Sequence, residues 1–417
     1  MNLEELKQQS LSDDNFISQL VFKIKQPDNR SEFFRIISGI GQHWQKNPTP
    51  LSLVRRIVEK TTLENKNILV LFNLEFLQVL IEEKNINPKN IIYVADNKLE
   101  YLSASKIFKV QSYQLSDYTF SAMKNLITGI DMKFDLVFSN PPYNGNIDIK
   151  ILNEVIDFAE EMIIVHPAMW LVENKNTLSD FVKFKNKTVN RIKSAEIFNG
   201  NPVFDIKLEK PTGIIHFAHS NTIEIHNHFT NEIYEVKDHT QVSIHGKKWL
   251  EMLPLVEKIK DYCLQNSSIW NNIVKSVDDI SDDKFYCQTK MKMSAWCVPQ
   301  INSYKSRMFT FIDDDYKIIN KATQRDTNRI PNNPTFEFNT ELERENFANY
   351  CKTDFARFCL SIYKINENLV WGEMSMIPWL DFTEEWDDEK LFDKFDVSQE
   401  LQDYIKDFLP DFHGIRK

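Results

Sequence analysis

Apolar residues in the first half of this 417-residue chain fall into two alternating arrangements. Short continuous runs stand at "NILVLF" (67 to 72), "NIIYVAD" (90 to 96), "FDLVFS" (134 to 139) and "MIIVHP" (162 to 167). Between them, in "EFLQVLIEEK", "YLSASKIF" and "IKILNEVIDFAEE", apolar positions recur every three or four residues. A run apolar at every position suits a strand covered on both faces, and the longer spacing suits a helix with one buried side. The alternation predicts a parallel, doubly wound α/β sheet, in which ligands bind beyond the carboxyl ends of the strands. Residues 1 to 40 read as helical, with "KQPDNR" as an interruption. "NPTPLSLVRRIVEKT" predicts a helix opened by Thr49-Pro50, with Leu53, Val54, Ile57 and Val58 on one face. "GIIHFAH" (213 to 219) and "TIEIHNH" (222 to 228) read as a late hairpin closing the sheet domain. Beyond about 230 the alternation stops and aromatic-rich segments follow, so a domain boundary is expected between 225 and 235.

Composition narrows the class. The chain is 42% hydrophobic and 26% charged, without an apolar run near the ~20 residues that span a bilayer. Its opening, "MNLEELKQQS", is acidic and polar, unlike a signal sequence. A cytoplasmic protein, of a bacterium or a phage-infected cell, is expected. The five cysteines (Cys263, Cys287, Cys297, Cys351, Cys359) form no C-x-x-C pair and read as reduced core thiols. His216, His219, His226 and His228 lack a Cys or carboxylate at ligand spacing and read as strand histidines, so no metal is expected.

A net charge of −10 opposes nucleic-acid binding until its distribution is considered. Between Leu380 and Asp411 twelve acidic residues face three lysines, so nearly all the excess lies in that segment. The remainder is close to neutral and holds basic clusters at 183 to 193, 246 to 249, 304 to 307 and 321 to 329. Each cluster alone suits a solvated face equally well.

The candidate chemistry lies in "FDLVFSNPPYNG" (134 to 145). The lone pair of a planar amino group is delocalised into its ring. Two fixed acceptors that take both N–H hydrogens draw the nitrogen toward sp³ and expose that pair. The side chain of Asn140 and the carbonyl of Pro141 can act so, with Pro141 and Pro142 freezing the backbone. Tyr143 can stack on a base turned out of its helix.

These segments resemble the N6-adenine-specific DNA methyltransferases of the NPPY group, in the Eco57I/TaqI-like arrangement where a catalytic domain precedes a target recognition domain. "GQHWQKNPTPLSLVRRIV" is similar to the family segment G-x-x-x-TP-x-x-L-V, "FDLVFSNPPYNG" to its catalytic segment, and "NPVFDIKLEKPTGIIHF" to a later one. "SMIPWLDFTEEWDDEKLFDKF" is similar to the end of the recognition domain, P-x-x-D-F-x-x-x-W-T-D-E-K-L-Y, and this long match is the most specific. The resemblance implies a Rossmann-like doubly wound SAM-dependent methyltransferase sheet followed by a mixed α+β target recognition domain. It implies S-adenosylmethionine as cofactor, duplex DNA as substrate, a flipped adenine, and transfer without a covalent enzyme intermediate. Thr49 and Pro50 would lie against the methionine end of the cofactor, and Phe204 would face Tyr143 across the base. A helical segment over 1–40, a catalytic domain over 41–230, a target recognition domain over 231–380 and an acidic tail over 381–417 are the expected divisions. The acidic tail either packs back on the protein or repels DNA from one face. "HPAMW" after the strand at 162 to 166 is expected to support the catalytic loop. No nuclease constellation is recognisable, so any restriction endonuclease would be a separate partner. Oligomeric state and target sequence stay open.

One departure from the pattern matters. The family's acidic-Pro-x-x-Gly-x-Gly loop after the first strand is replaced by "LVLFNLEFLQVL", and no glycine lies between Gly41 and Gly129. The only G-x-G, Gly39 to Gly41, precedes that strand. A shorter turn at Phe72, Asn73 and Glu75, with Asp96 on the ribose hydroxyls and Asn140 beyond, is then expected to hold the cofactor. For Asp96 a helix N-cap is the competing role. The same residues also suit a methyltransferase-fold DNA-binding protein without cofactor, or an amino methyltransferase acting on RNA or protein glutamine.

Overall fold

The computed structural model describes residues 34, 37, 48–115, 125–130, 133–142, 147–171, 179–188, 190–204, 211–237, 241–243, 246–276, 283–288, 334–362 and 371–409. They divide into two compact units, one reaching Val242 and one running from Ser243.

In the first unit α1 (Leu51–Val58) buries Leu53, Val54, Ile57 and Val58 as the spacing predicts. Pro50 stands at its N-cap, its carbonyl accepting from Leu53 and Val54 N–H at 2.9 and 3.0 Å. There follow β1 (Ile68–Leu71), α2 (Leu74–Leu77, continued by π-helical turns to Glu83), β2 (Ile91–Ala95), α3 (Lys98–Ser103, continued likewise to Phe108) and β3 (Gln111–Gln114). Then come β4 (Phe134–Ser139), α4 (Ile147–Val155), β5 (Ala159–Pro167), α5 (Ser179–Thr188), β6 (Ile192–Phe198), α6 (Asn201–Phe204), β7 (Thr212–Phe217), β8 (Ile223–Asn227) and β9 (Glu232–Val236).

The nine strands form one sheet in the order β3-β2-β1-β4-β5-β7-β6-β8-β9. β1 to β5 run parallel, and β7 is inserted antiparallel between β5 and β6. The sheet is doubly wound and Rossmann-like, and its strand order reverses between β1 and β4. β1 and β2 are buried at every position, as strands covered on both faces must be. The register pairs Leu71 with Val94 on one side and with Ser139 on the other. Phe72, Ala95 and Asn140 therefore leave the sheet level with one another, at its switch point.

Two expectations are corrected. Residues 213–219 and 222–228 do not form a hairpin, because β6 lies between β7 and β8. β8 pairs parallel with β6, and its hairpin partner is β9. The division at 380 is not kept: the acidic segment packs back on the protein, one of its two expected placements, and holds α10 and α11 of the second unit, described next.

That unit contains α7 (Lys248–Gln265), an antiparallel ribbon of β10 (Phe285–Gln288) and β11 (Thr335–Phe338), α8 (Glu341–Tyr350), α9 (Asp354–Ser361), α10 (Asp388–Lys394) and α11 (Gln399–Phe408). Leu391, Phe392, Phe395 and Ile405 are buried in its core, while most of the acids between them point outward. The stretch "PWLDF" ties this core together. Trp379 stacks on Phe338 at 5.8 Å and meets Phe382 edge-on at 5.0 Å. Tyr350 donates to the Pro378 carbonyl and Asn346 to that of Phe382, both at 2.9 Å. Four of these helix starts are capped by side chains: Thr340 and Glu343 form a reciprocal box on α8, and Thr353, Asp387 and Ser398 open α9, α10 and α11. Cys263, Cys287, Cys351 and Cys359 are buried in this unit, where loss of water pushes the Cys287 thiol up to about 12. Among the described residues no helix is long and apolar enough to cross a membrane.

Candidate functional site

At the end of β4 the Asn140 side chain turns away from solvent and donates from Nδ2 to Thr49 Oγ1 at 2.8 Å. Thr49 is fully buried, Asn140 is 4% exposed, and Pro141 and Pro142 are buried beside it. Ninety-one residues of chain separate this pair. The bond fixes which way the amide faces: with its nitrogen committed to Thr49, its oxygen is turned to the other side as an acceptor. Thr49, expected against the cofactor, thus also orients the candidate catalytic amide. One residue earlier, Ser139 Oγ donates to the Leu71 carbonyl at 3.3 Å, joining the exits of β4 and β1.

The turn after β1 explains how a chain without glycine bends there. Phe72 and Asn73 both adopt left-handed backbone, with φ of 61° and 60°. Such a conformation costs an L-residue roughly 1–2 kcal/mol, less for Asn than for Phe. Burying the whole Phe72 ring, which contributes roughly 1.5–3 kcal/mol, offsets it. Asn73 is also fully buried, yet neither its amide nitrogen nor its oxygen has a hydrogen-bond partner among the described residues. An unmet buried polar atom costs about 1–3 kcal/mol. Donor and acceptor together are what a polar ligand at this turn would satisfy. Glu75, in the first turn of α2, is buried next to it in sequence.

Asp96 leaves β2 fully buried. The helix-cap role falls to its neighbour: Asn97 Oδ1 accepts from Glu100 N–H at 2.9 Å, and Glu100 Oε2 accepts from Asp96 N–H at 2.9 Å. The Asp96 carboxylate is not the cap of α3. Burial, and then the charges of Glu100, Glu75 and Asp96, push the Tyr93 phenol well above its ordinary range, so the three carboxylates share one neighbourhood. Asn73 and Asp96 are wholly unexposed and Glu75 is 1% exposed, so a ligand reaches them only with local opening.

Phe204 ends α6 and packs, half-buried, against the core of the first unit. Tyr143 lies outside the described residues, as do the basic clusters at 304 to 307 and 321 to 329. The strand histidines pair singly with carboxylates: His216 with Glu161, His226 with Glu224, His228 with Glu196. Among the described residues no group of three or more His, Cys, Asp or Glu is placed to hold a metal.

No family model and no curated protein matches this chain. Solved structures similar to it include the type IIG restriction endonuclease BpuSI, at 13% identity and a TM-score of 0.38 over 62% of this chain and 38% of that one. A modification subunit of a putative type I restriction enzyme from Vibrio vulnificus is 12% identical, at a TM-score of 0.34 over 60% of each chain. The M protein of type I restriction enzyme EcoKI is 11% identical, at a TM-score of 0.34 over 54% of this chain and 58% of that one. The chain thus spans less than two thirds of each. At these scores the likeness assigns no chemistry to the chain.

The fold brings Asn140, Pro141, Pro142 and the turn at Phe72 to Glu75, all singled out from the sequence, to the neighbouring exits of β4 and β1. Sequence reasoning missed the Thr49–Asn140 bond and the left-handed pair, since neither leaves a local signature.

Proposed function

We propose that this protein is a DNA methyltransferase that transfers a methyl group from S-adenosylmethionine to the N6 amino group of adenine in duplex DNA. The observation that carries the reading is the Asn140 amide, locked by Thr49 beside two buried prolines at the switch point of a doubly wound sheet. That amide, and the Pro141 carbonyl on a rigid backbone, supply two acceptors for the two N–H bonds of one planar amino group. Engaging both concentrates the lone pair on nitrogen. Tyr143 and Phe204 would flank the extruded ring.

The residues at the switch point fit an adenosyl cofactor. Asn73 holds a buried donor and acceptor without partners among the described residues, and the Asp96 carboxylate, which does not cap α3, would accept from a pair of hydroxyls. Phe72 and Glu75 would complete this wall, and Thr49 and Pro50 the opposite one. When bound, S-adenosylmethionine supplies the methyl group on a sulfonium centre. The chain's own part is to hold the amino nitrogen, orient its lone pair and exclude water. We assign catalysis to the first unit and target reading to the second, with any restriction endonuclease a separate chain.

Titration calorimetry with S-adenosylmethionine and its demethylated product, with and without duplex DNA, tests the cofactor. Detection of N6-methyladenine in incubated duplex tests the reaction. Micromolar binding with methylated adenine is expected, and Asn140→Ala should abolish the product while sparing DNA affinity. Absence of both binding and product in the native protein would discard the reading for that of a cofactor-free DNA-binding protein.

A further inference from the structure

Beside the Asn-Pro-Pro segment lies a second buried contact that the reaction as described does not use. His166, near the end of β5, is wholly unexposed, and its Nε2 stands 2.7 Å from Oδ2 of Asp148, whose side chain is 5% exposed. Asp148 belongs to the first turn of α4, which begins five residues after Pro142. β5 is the parallel neighbour of β4, with Ser139 level with Ile164, so continuing that register sets His166 level with Pro141. The pair therefore joins the strand flanking the loop's entrance to the helix at its exit.

The chemistry of the contact is restricted. Nδ1 of His166 lies 2.7 Å from the carbonyl of Pro167, which can only accept, so Nδ1 carries a proton. Nε2 then faces a carboxylate oxygen at 2.7 Å. The two atoms are not aligned as a hydrogen bond, so what the structure gives is a buried 2.7 Å polar contact that ties α4 to β5. Oδ1 of Asp148 has no hydrogen-bond partner among the described residues, and its Oδ2 lies against His166. A buried acid anchored in this way holds α4 wherever His166 stands.

We propose that His166 and Asp148 are positioning residues that clamp the exit of the Asn140–Pro142 segment, as Thr49 clamps its entrance. Thr49 holding Asn140 and His166 holding the start of α4 would together restrain the Asn140 oxygen and the Pro141 carbonyl. This rests on the methyl-transfer reading, because those two acceptors matter only if an amino group is held between them. Neither side chain is among the groups assigned to hold the amino nitrogen, so the loss of either would act through the geometry of the acceptors.

The test compares Asp148→Ala with Asp148→Asn in the full chain. The second change keeps the side chain's size and a polar group against Nε2, and so preserves the contact that the first removes. Hydrogen–deuterium exchange of the peptide 139–155 should rise in Asp148→Ala and stay near native in Asp148→Asn, with the rest of the first unit unchanged. Steady-state methylation should show kcat lowered roughly tenfold to a hundredfold in the first variant at unchanged KM for DNA and cofactor. The second should restore it to within a few-fold of native. Unchanged exchange and kcat in Asp148→Ala would overturn the clamp, and so would equal losses in both variants. A native protein that transfers no methyl group would overturn the methyl-transfer reading instead, and the exchange data would still decide whether the link holds the loop.

Discussion

At the scale of single residues, Thr49 and Asn73 separate what the sequence discloses from what it hides. Asn-Pro-Pro after an apolar strand stands out in the sequence because two successive prolines mark a rigid exit from the strand. The partner that aims Asn140 is not legible, since a threonine ninety-one positions earlier is ordinary until the fold brings it near. Thr49→Val keeps the shape and removes the acceptor for Nδ2. It should cost about 1–3 kcal/mol in the transition state, a tenfold to hundredfold loss in kcat, with DNA affinity unchanged by fluorescence anisotropy. Asn73 makes the opposite case, because its buried, unmatched amide is a cost in the ligand-free protein. In Asn73→Gly, relief of left-handed strain is largely cancelled by the greater freedom of an unfolded glycine, ~0.5–1 kcal/mol. Loss of the unmatched amide remains, so the ligand-free variant should unfold at a higher temperature, by about 1 kcal/mol of added stability. Calorimetric affinity for S-adenosylmethionine should fall about tenfold. A lower unfolding temperature would mean that the amide is bonded within the fold and does not await a ligand.

At the scale of elements, legibility followed covering. β1, β2, β4 and β5 were readable because strands shielded on both faces are apolar throughout. β3, "QSYQ", was not, because an edge strand covered only in part needs no apolar run, and its pairing with β2 is made by backbone alone. The supposed hairpin of β7 and β8 failed for a related reason: adjacency in sequence says nothing about a third strand inserted between them. The acidic run after 380 misled through charge, which is what a solvated helix face carries, while Leu391, Phe392, Phe395 and Ile405 kept the inner spacing. One acid in that run faces inward. Asp388, on α10, accepts from Asp354 N–H at 3.1 Å and Phe355 N–H at 2.8 Å, completing the start of α9, where Thr353 takes the Ala356 N–H. Asp388→Ala should therefore destabilise the second unit by roughly 1–2 kcal/mol, seen as a lower urea midpoint. An exposed neighbour such as Glu389 should tolerate the same change.

At the scale of the molecule, division into two compact units means that a charge cluster can be weakened in one by substitution while the other is left intact. Glu196 on β6 is 7% exposed and meets Arg56 Nε at 2.8 Å, Lys60 Nζ at 2.8 Å and His228 Nε2 at 2.9 Å. Burial works to raise its carboxyl, but Arg56, Lys60 and His228 prevail and hold it at about 2. A folded value below the unfolded one favours the native state wherever the unfolded group is already ionised. The stability it gives is complete above about 4.5 and is lost as pH falls toward about 2, with a full size on the order of 3 kcal/mol. At neutral pH, Glu196→Gln should lower the first unit's calorimetric transition by roughly 5–10 °C and leave the second's in place. Near pH 3 the gap between variant and native protein should narrow, because the native carboxylate is itself being protonated in the unfolded chain. Arg56 and Lys60 lie on and just beyond α1, and Arg56 also covers the Phe198 ring at 5.0 Å. The helix whose start presents Thr49 to Asn140 is thus pinned at its far end to β6. The variant should accordingly lose methyl transfer at temperatures below its unfolding transition, and unaltered activity there would show that α1 keeps its place without the charge cluster.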